Sequence, residues 1–372
     1  MTARQVVFIS LERWDEVWRR NQHLLTRLRA KGIIGDVLYV EPSVDPLHAL
    51  LRRHRPRIGR GLRPLGGQAG VTVLEGTKLL PRRLDRRQDD RWADSVRTTA
   101  QRIGLDSPLL WVNDPRGAVL LDRVAWPAVY DITDDWLLAT RPEAELNRLR
   151  SWESSLLERC AEVVVCSPAL QRSKSRARPV TLIPNAVDID LFRSAQPRPA
   201  DLPSGPLALY VGTLHSDRLD VGLCCTTAES LRARGVRLVL VGPDALDDAE
   251  RARLDASGVI RLGARPSHAV PAYLQHADVL VVPHLVTPFT ESLDPIKAYE
   301  YAASGRPTVS TPVAGFRELP DCVIAAASAF PAALERVLAS RVSSTRESTP
   351  IPTWEQRAEQ FSRVLNTVPE KP

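Results

Sequence analysis

The sequence predicts an α/β protein: two doubly wound parallel-sheet domains facing a cleft. Three observations predict it. Short β-branched runs alternate with longer amphipathic stretches, which is the grammar of β-α-β units and a parallel sheet. The alternation comes in two series separated by a proline-rich break. The chain's 372 residues also exceed what one hydrophobic core ordinarily supports. Composition agrees, because 44% hydrophobic and 25% charged residues exclude a disordered or fibrous chain.

In the first series Val6 to Ser10 reads as a strand, Val17 to Lys31 as a helix and Asp36 to Val40 as the next strand. Further strands are expected at Leu109 to Val112, Ala128 to Asp131 and Val163 to Cys166, with a helix over Ala144 to Arg159. Residues 1–190 form this N-terminal unit. Residues 191–206 collect Pro197, Pro199, Pro203 and Pro206 without apolar periodicity and read as a linker. The second unit, 207–352, offers strands at Leu207 to Val211, Arg237 to Val241, Ile260 to Leu262, Val279 to Val282 and Thr308 to Ser310. Helices over roughly 220–234, 247–256, 270–276 and 295–303 fill the gaps. An irregular stretch at 343–352 precedes helical spacing from Thr353 to Val364.

Five scattered cysteines lack the spacing of a zinc site or a disulfide framework, and they read as reduced, buried thiols. The apolar run at residues 6–11 ends at Glu12 and Arg13, short of a signal peptide, and no segment approaches the ~18 apolar residues of a membrane span. A cytoplasmic protein is expected. The net charge of +6 is uneven, with Arg52, Arg53, Arg55, Arg57, Arg60 and Arg63 clustered without an acid. That segment is open to two readings, a solvated loop or a peripheral contact with anionic lipid or phosphate. Nucleic acid is disfavoured, since no aromatics interleave the arginines. Oligomeric state is not legible.

The richest stretch is Ser292-Leu293-Asp294-Pro295-Ile296-Lys297-Ala298-Tyr299-Glu300, running on to Gly305 and Pro307. Asp294 or Ser292 is placed to cap a short helix, Pro295 suits its first position, and Gly305 ends it. A helix N-terminus above a parallel sheet stabilises a diphosphate, and Lys297 adds a full charge one turn in. Glu300, a further turn along, is placed to accept hydrogen bonds from ribose hydroxyls. The same spacing also describes an ordinary crossover helix whose Lys297 and Glu300 pair with each other.

This stretch resembles the signature of the retaining glycosyltransferases of family 4, which have the GT-B fold of two Rossmann-like domains. Glu300 matches the second glutamate of that family's paired-glutamate motif, and Ser292 stands where the first is expected. The departure, with Pro-x-Lys in the middle, resembles a teichuronic-acid-type branch. Ile183-Pro184-Asn185-Ala186-Val187-Asp188 resembles the turn closing the N-terminal domain. Tyr210-Val211-Gly212-Thr213-Leu214 leading to Arg218 resembles the glycine loop of the donor domain, and Gly242, Ala264 and Arg265 fall at successive strand ends.

The resemblance implies transfer of a sugar from a UDP-, dTDP- or GDP-sugar to an acceptor hydroxyl with retention, without cofactor or catalytic metal. It also implies a C-terminal helix over 353–372 crossing back to the first domain. Gly212, Thr213, Arg218, Gly242, Ala264, Arg265, Ser292, Leu293, Asp294, Ile296, Lys297 and Glu300 are then the donor-binding candidates. Lys297, Arg218 and Asp134 are the catalytic candidates. Trp14, Arg20, Asn113, Asp134 and Asp135 are the acceptor-binding ones, since they follow strands on the cleft side of the first domain. Tyr130 to Trp136 reads equally as a helix-capping acidic turn, and Trp18 equally as core. Cell-envelope polysaccharide and natural-product synthesis are the expected settings. A GT-B sugar-nucleotide epimerase and a non-catalytic nucleotide-sugar-binding partner are the alternatives; product analysis with donor alone separates the epimerase from a transferase, and nucleotide titration with a hydrolysis assay decides the binding partner.

Overall fold

The structure, a computed structural model, describes residues 3–51, 55–82, 84–319, 321–340 and 350–370. The N-terminal sheet is built from β1 (Arg4–Ile9), β2 (Ile34–Val44), β3 (Gly61–Pro64), β4 (Val71–Thr77), β5 (Leu109–Val112), β6 (Ala128–Ile132), β7 (Glu162–Val165) and β8 (Thr181–Leu182). Its order is β3-β4-β2-β1-β5-β6-β7-β8, and only β3 pairs antiparallel. The second sheet runs β11 (Ile260–Gly263), β10 (Arg237–Val241), β9 (Leu207–Val211), β12 (Val279–Val282), β13 (Thr308–Ser310) and β14 (Cys322–Ile324), all parallel. Both are doubly wound.

Helices cover both faces of each sheet, which is why the central strands read as unbroken apolar runs rather than alternating ones. Val6, Val7, Phe8 and Ile9 of β1 are all buried, as are the residues of β9 and β12. The Trp354–Thr367 helix leaves the second domain and returns to the first, where Phe361 stacks on Trp111 of β5 at 4.9 Å. Thr353 caps this helix by accepting from the Gln356 N–H. The crossing-back helix is thus present, and the architecture is GT-B.

Several elements differ from the reading of the sequence. The first helix begins at Arg20 rather than Val17, because Asp15 accepts from the Val17 N–H and holds a local turn. The β3–β4 hairpin, the Gln88–Arg102 helix and the Phe330–Ala339 helix are not among the expected elements, although Phe330, Ala333, Leu334 and Val337 stand at i, i+3, i+4 and i+7 and pack into the core. Of the arginine cluster, Arg63 lies on β3, and Arg57 and Arg60 lie just before it. Arg57 and Arg60 reach the buried Glu75, at 2.7 and 3.4 Å, and Arg63 reaches the buried Glu41 at 3.2 Å. Part of its charge therefore neutralises acids pointing inward from β2 and β4, while Arg52 and Arg53 lie outside the described residues. Among the described residues no helix is long and apolar enough to cross a membrane.

Candidate active site between the two domains

The C-terminal ends of β1, β5 and β6 face those of β9, β10 and β12 across a cleft of about 680 Å³. On the second-domain wall the chain turns sharply after β9 and after β10. Gly212 has φ 154° and Gly242 φ 147°, conformations open to glycine but strained for other residues. A Cβ on Gly212 would collide with the Lys297 side chain, whose Cε lies 2.9 Å from that point, and one on Gly242 would collide with the Gly212 carbonyl. The two backbone turns therefore pack directly together beneath the lysine.

Lys297 projects from the Ile296–Ser304 helix, which Tyr301 pins to β9 by accepting the Val211 N–H at 2.8 Å. The Lys297 ammonium donates to the Tyr210 hydroxyl at 2.7 Å, lies 4.3 Å from that ring's centroid and has His284 Nε2 at 3.5 Å. Burial, reinforced by the neighbouring Arg218 charge, pushes it down to about 7. Burial likewise lifts the Glu300 carboxyl to about 7, and Glu300 makes no hydrogen bond among the described residues. Burial works against the Arg218 charge, but Asp217, accepting from its Nε at 2.9 Å, and Asp134 together with Tyr210 outweigh it, and the pKa rises. Leu293, Ile296, Thr213 and Arg265 complete this wall.

Opposite stands the first domain. Asn113 donates to the Asp131 carbonyl at 3.1 Å and to Thr133 Oγ1 at 3.3 Å, and Thr133 in turn donates to Asp134 at 3.1 Å. Burial raises the Asp134 carboxyl while Arg218, reaching across the cleft, lowers it. Glu12 lines the same place, lifted to about 7 by burial, with Arg19 at 3.0 Å. Two acids and two arginines thus meet where the domains approach.

Most candidate residues line the cleft, but four do not, and several of the liners are already engaged, Arg265 by Tyr273 and Asp201 among them. Ser292 is buried, its hydroxyl bonded to the Phe289 carbonyl and its own carbonyl accepting from Ser167 of the first domain at 2.6 Å. Asp135 faces away from the cleft and forms a buried ion group with Lys174, at 3.1 Å, and Glu153. Trp14 packs edge-on against Tyr39, and Ala264 stays behind Arg265, whose guanidinium its carbonyl accepts. Asp294 does not cap its helix. Its carboxylate accepts from the Asn185 N–H and the Tyr299 hydroxyl, fastening the two domains. Arg20 holds Asp131 with two bonds, at 3.2 and 3.3 Å, and Asn185 with a third, leaving it a positioning part of the cleft wall.

The reading missed Glu12, Arg82, Arg116, Arg141, Arg148 and Trp152, which also line the cleft. For the last two a signal existed. Glu145, Arg148, Leu149 and Trp152 share one face of the Glu143–Arg159 helix at i, i+3, i+4 and i+7.

Residues 205–340, the domain carrying Gly212, Lys297 and Glu300, match the family described as glycosyl transferases group 1. TuaH of Bacillus subtilis (strain 168), named as a teichuronic acid biosynthesis glycosyltransferase, is 23% identical over 217 residues, 54% of this chain and 55% of the relative. The chain therefore spans about half the length of the curated relative it matches. The fold is shared over whole chains. A sucrose-phosphate synthase from Thermosynechococcus elongatus superposes with TM-score 0.66 at 20% identity, covering 97% of this chain and 94% of that one. A trehalose-phosphate synthase (UDP-forming) from Burkholderia xenovorans, in complex with glucose-6-phosphate, gives 0.63 at 12% identity, covering 98% and 100%. In the matched region the Gly212 turn and the Lys297 helix are the parts that meet at the cleft.

Proposed function

We propose that the protein is a retaining glycosyltransferase that takes a sugar from a nucleoside diphosphate donor and attaches it to an acceptor hydroxyl presented by the first domain. One observation carries this reading. The Gly212 turn, the Lys297 ammonium, Arg218 and the unbonded Glu300 carboxyl surround a single space. The two glycine turns keep side-chain bulk out of the space a diphosphate would take, and Lys297 and Arg218 neutralise the charge that grows on it as the sugar leaves. Glu300 then has its missing partners in the ribose hydroxyls.

In the reaction the bond from the anomeric carbon to the diphosphate oxygen breaks, and a bond from the same carbon to the acceptor oxygen forms on the same face. The acceptor proton passes to the departing phosphate, with Asp134 orienting the hydroxyl. The charges that neutralise the leaving group are the protein's own. UDP is the first donor to try among UDP, dTDP and GDP, given the UDP-forming structural neighbour. Cell-envelope polysaccharide is the favoured setting, given the name of the Bacillus subtilis relative.

The test is Lys297→Ala assayed with a panel of nucleotide sugars. Turnover is expected to fall about 10²-fold or more, with the unfolding midpoint little changed. Turnover like that of the unaltered protein at saturating donor would sink the assignment, and an inverted anomeric signal in the product would remove retention from it.

A further inference from the structure

Resting on that reading, we propose that the acceptor carries an oxyanion, a phosphate or carboxylate on its sugar, which the outer lobe of the cleft in the first domain recognises through four arginines. Arg82 and Arg116 share the acid Asp89. Both Nε atoms bond it, Arg82 at 3.0 Å and Arg116 at 2.8 Å, and the nearby Asp114, its carboxyl raised by burial, is the second acid acting on them. Arg148 projects into the same lobe and makes no hydrogen bond or ion pair among the described residues. Arg141 pairs with Glu145, yet its Nε is buried without a partner. A buried guanidinium N–H left unbonded is costly, and a ligand oxygen arriving there removes the cost.

Aromatic faces join this lobe to the donor site. Arg218 lies over Phe289 at 5.6 Å, Phe289 meets Trp136 at 5.6 Å, and Arg141 covers Trp136 at 4.9 Å. Further out, Trp152 lies beneath Arg82 at 5.8 Å. Trp136 and Trp152 both line the cleft, and the indole N–H of Trp136 is buried without an acceptor. Indole faces with nearby donors suit the apolar face and hydroxyls of a sugar ring. Guanidinium forks suit a planar or tetrahedral oxyanion and hold it bidentately. A neutral sugar would use the indoles and leave the arginines unanswered; an anionic one uses both.

The experiment follows the intrinsic tryptophan fluorescence of the full chain during titration with glucose, glucose 6-phosphate and glucuronate. UDP binding is measured separately by calorimetry. The expected result is saturable quenching by at least one anionic sugar at a concentration about tenfold lower than glucose requires, weakening at high salt. The two anionic arms decide between phosphate and carboxylate. Arg148→Ala, at a partly exposed position without partners, should raise that concentration about tenfold while UDP affinity and the unfolding midpoint stay as before. Equal response to glucose and both anions, no response to either anion, or an Arg148→Ala protein that binds the anion as tightly as before overturns the proposal. Failure of UDP to bind would instead count against the donor site, and the sugar titrations would still decide this inference.

Discussion

At Lys297 the position of the ammonium matters more than its presence. A lysine one turn into a helix is ordinary on a surface, but here it is folded over the Gly212 turn against Tyr210 and His284. Desolvation and Arg218 hold its pKa at about 7, well below that of a free lysine. Above pH 7 the empty site therefore tends to carry a neutral amine, and a bound diphosphate favours the ammonium. Nucleotide binding at pH 8 should take up a proton, and affinity should fall by up to about tenfold per pH unit above 7. Calorimetry in two buffers of different ionisation heat reads this directly. The uptake should vanish in Lys297→Met, and identical heats for the unaltered protein would mean that the lysine is charged before ligand arrives.

At the level of elements, the Trp354–Thr367 helix belongs to the first domain in packing though it follows the second in sequence. Its Trp354, Phe361 and Leu365 are buried in the same cluster as Phe8, Leu24 and Trp111. Arg4 of β1 donates to the carbonyls of Leu365 and Val368 at the helix's far end, at 2.6 and 2.9 Å. Phe361→Ala should destabilise by about 3–5 kcal/mol through lost burial and the cavity left against Trp111. Chemical denaturation reports the loss. Nucleotide affinity, set in the other sheet, should survive wherever the protein remains folded, and a parallel loss of affinity under those conditions would show that the helix does more than seal a core. The i, i+3, i+4, i+7 face of the Glu143–Arg159 helix was legible in the sequence as amphipathic. Nothing in one chain segment said that its half-polar side faces a cleft rather than bulk solvent.

Across the whole molecule, the cleft keeps its shape through a few contacts centred on Asn185. Its backbone N–H and side-chain amide both reach Asp294, its side-chain oxygen accepts from Arg20 at 3.1 Å, and its carbonyl accepts from Arg357 at 3.2 Å. Ser167 to Ser292 adds a second fastening, and the Ser267 N–H to the Glu16 carbonyl a third. Asn185→Ala leaves a buried arginine donor and the Asp294 carbonyl unanswered. It should cost about 1–3 kcal/mol and lower turnover, because the two walls no longer share a fixed separation. Solution scattering should show a larger radius of gyration; unchanged scattering and unchanged turnover together would mean that the remaining contacts suffice.

The sequence alone determined the two series of strands, the proline-rich break between them, and the glycine turns with the Lys297 helix. These are written in local patterns of period, punctuation and residue type. Tertiary structure alone decided that Ser292 and Asp294 fasten the domains, that Asp135 is answered by Lys174, and that Glu12 and the outer arginines share a wall with Asp134. The physical reason is that a carboxylate or guanidinium has the same local pattern whether it meets solvent, a partner or a substrate. Only the packing of segments far apart in the chain determines which of these it meets.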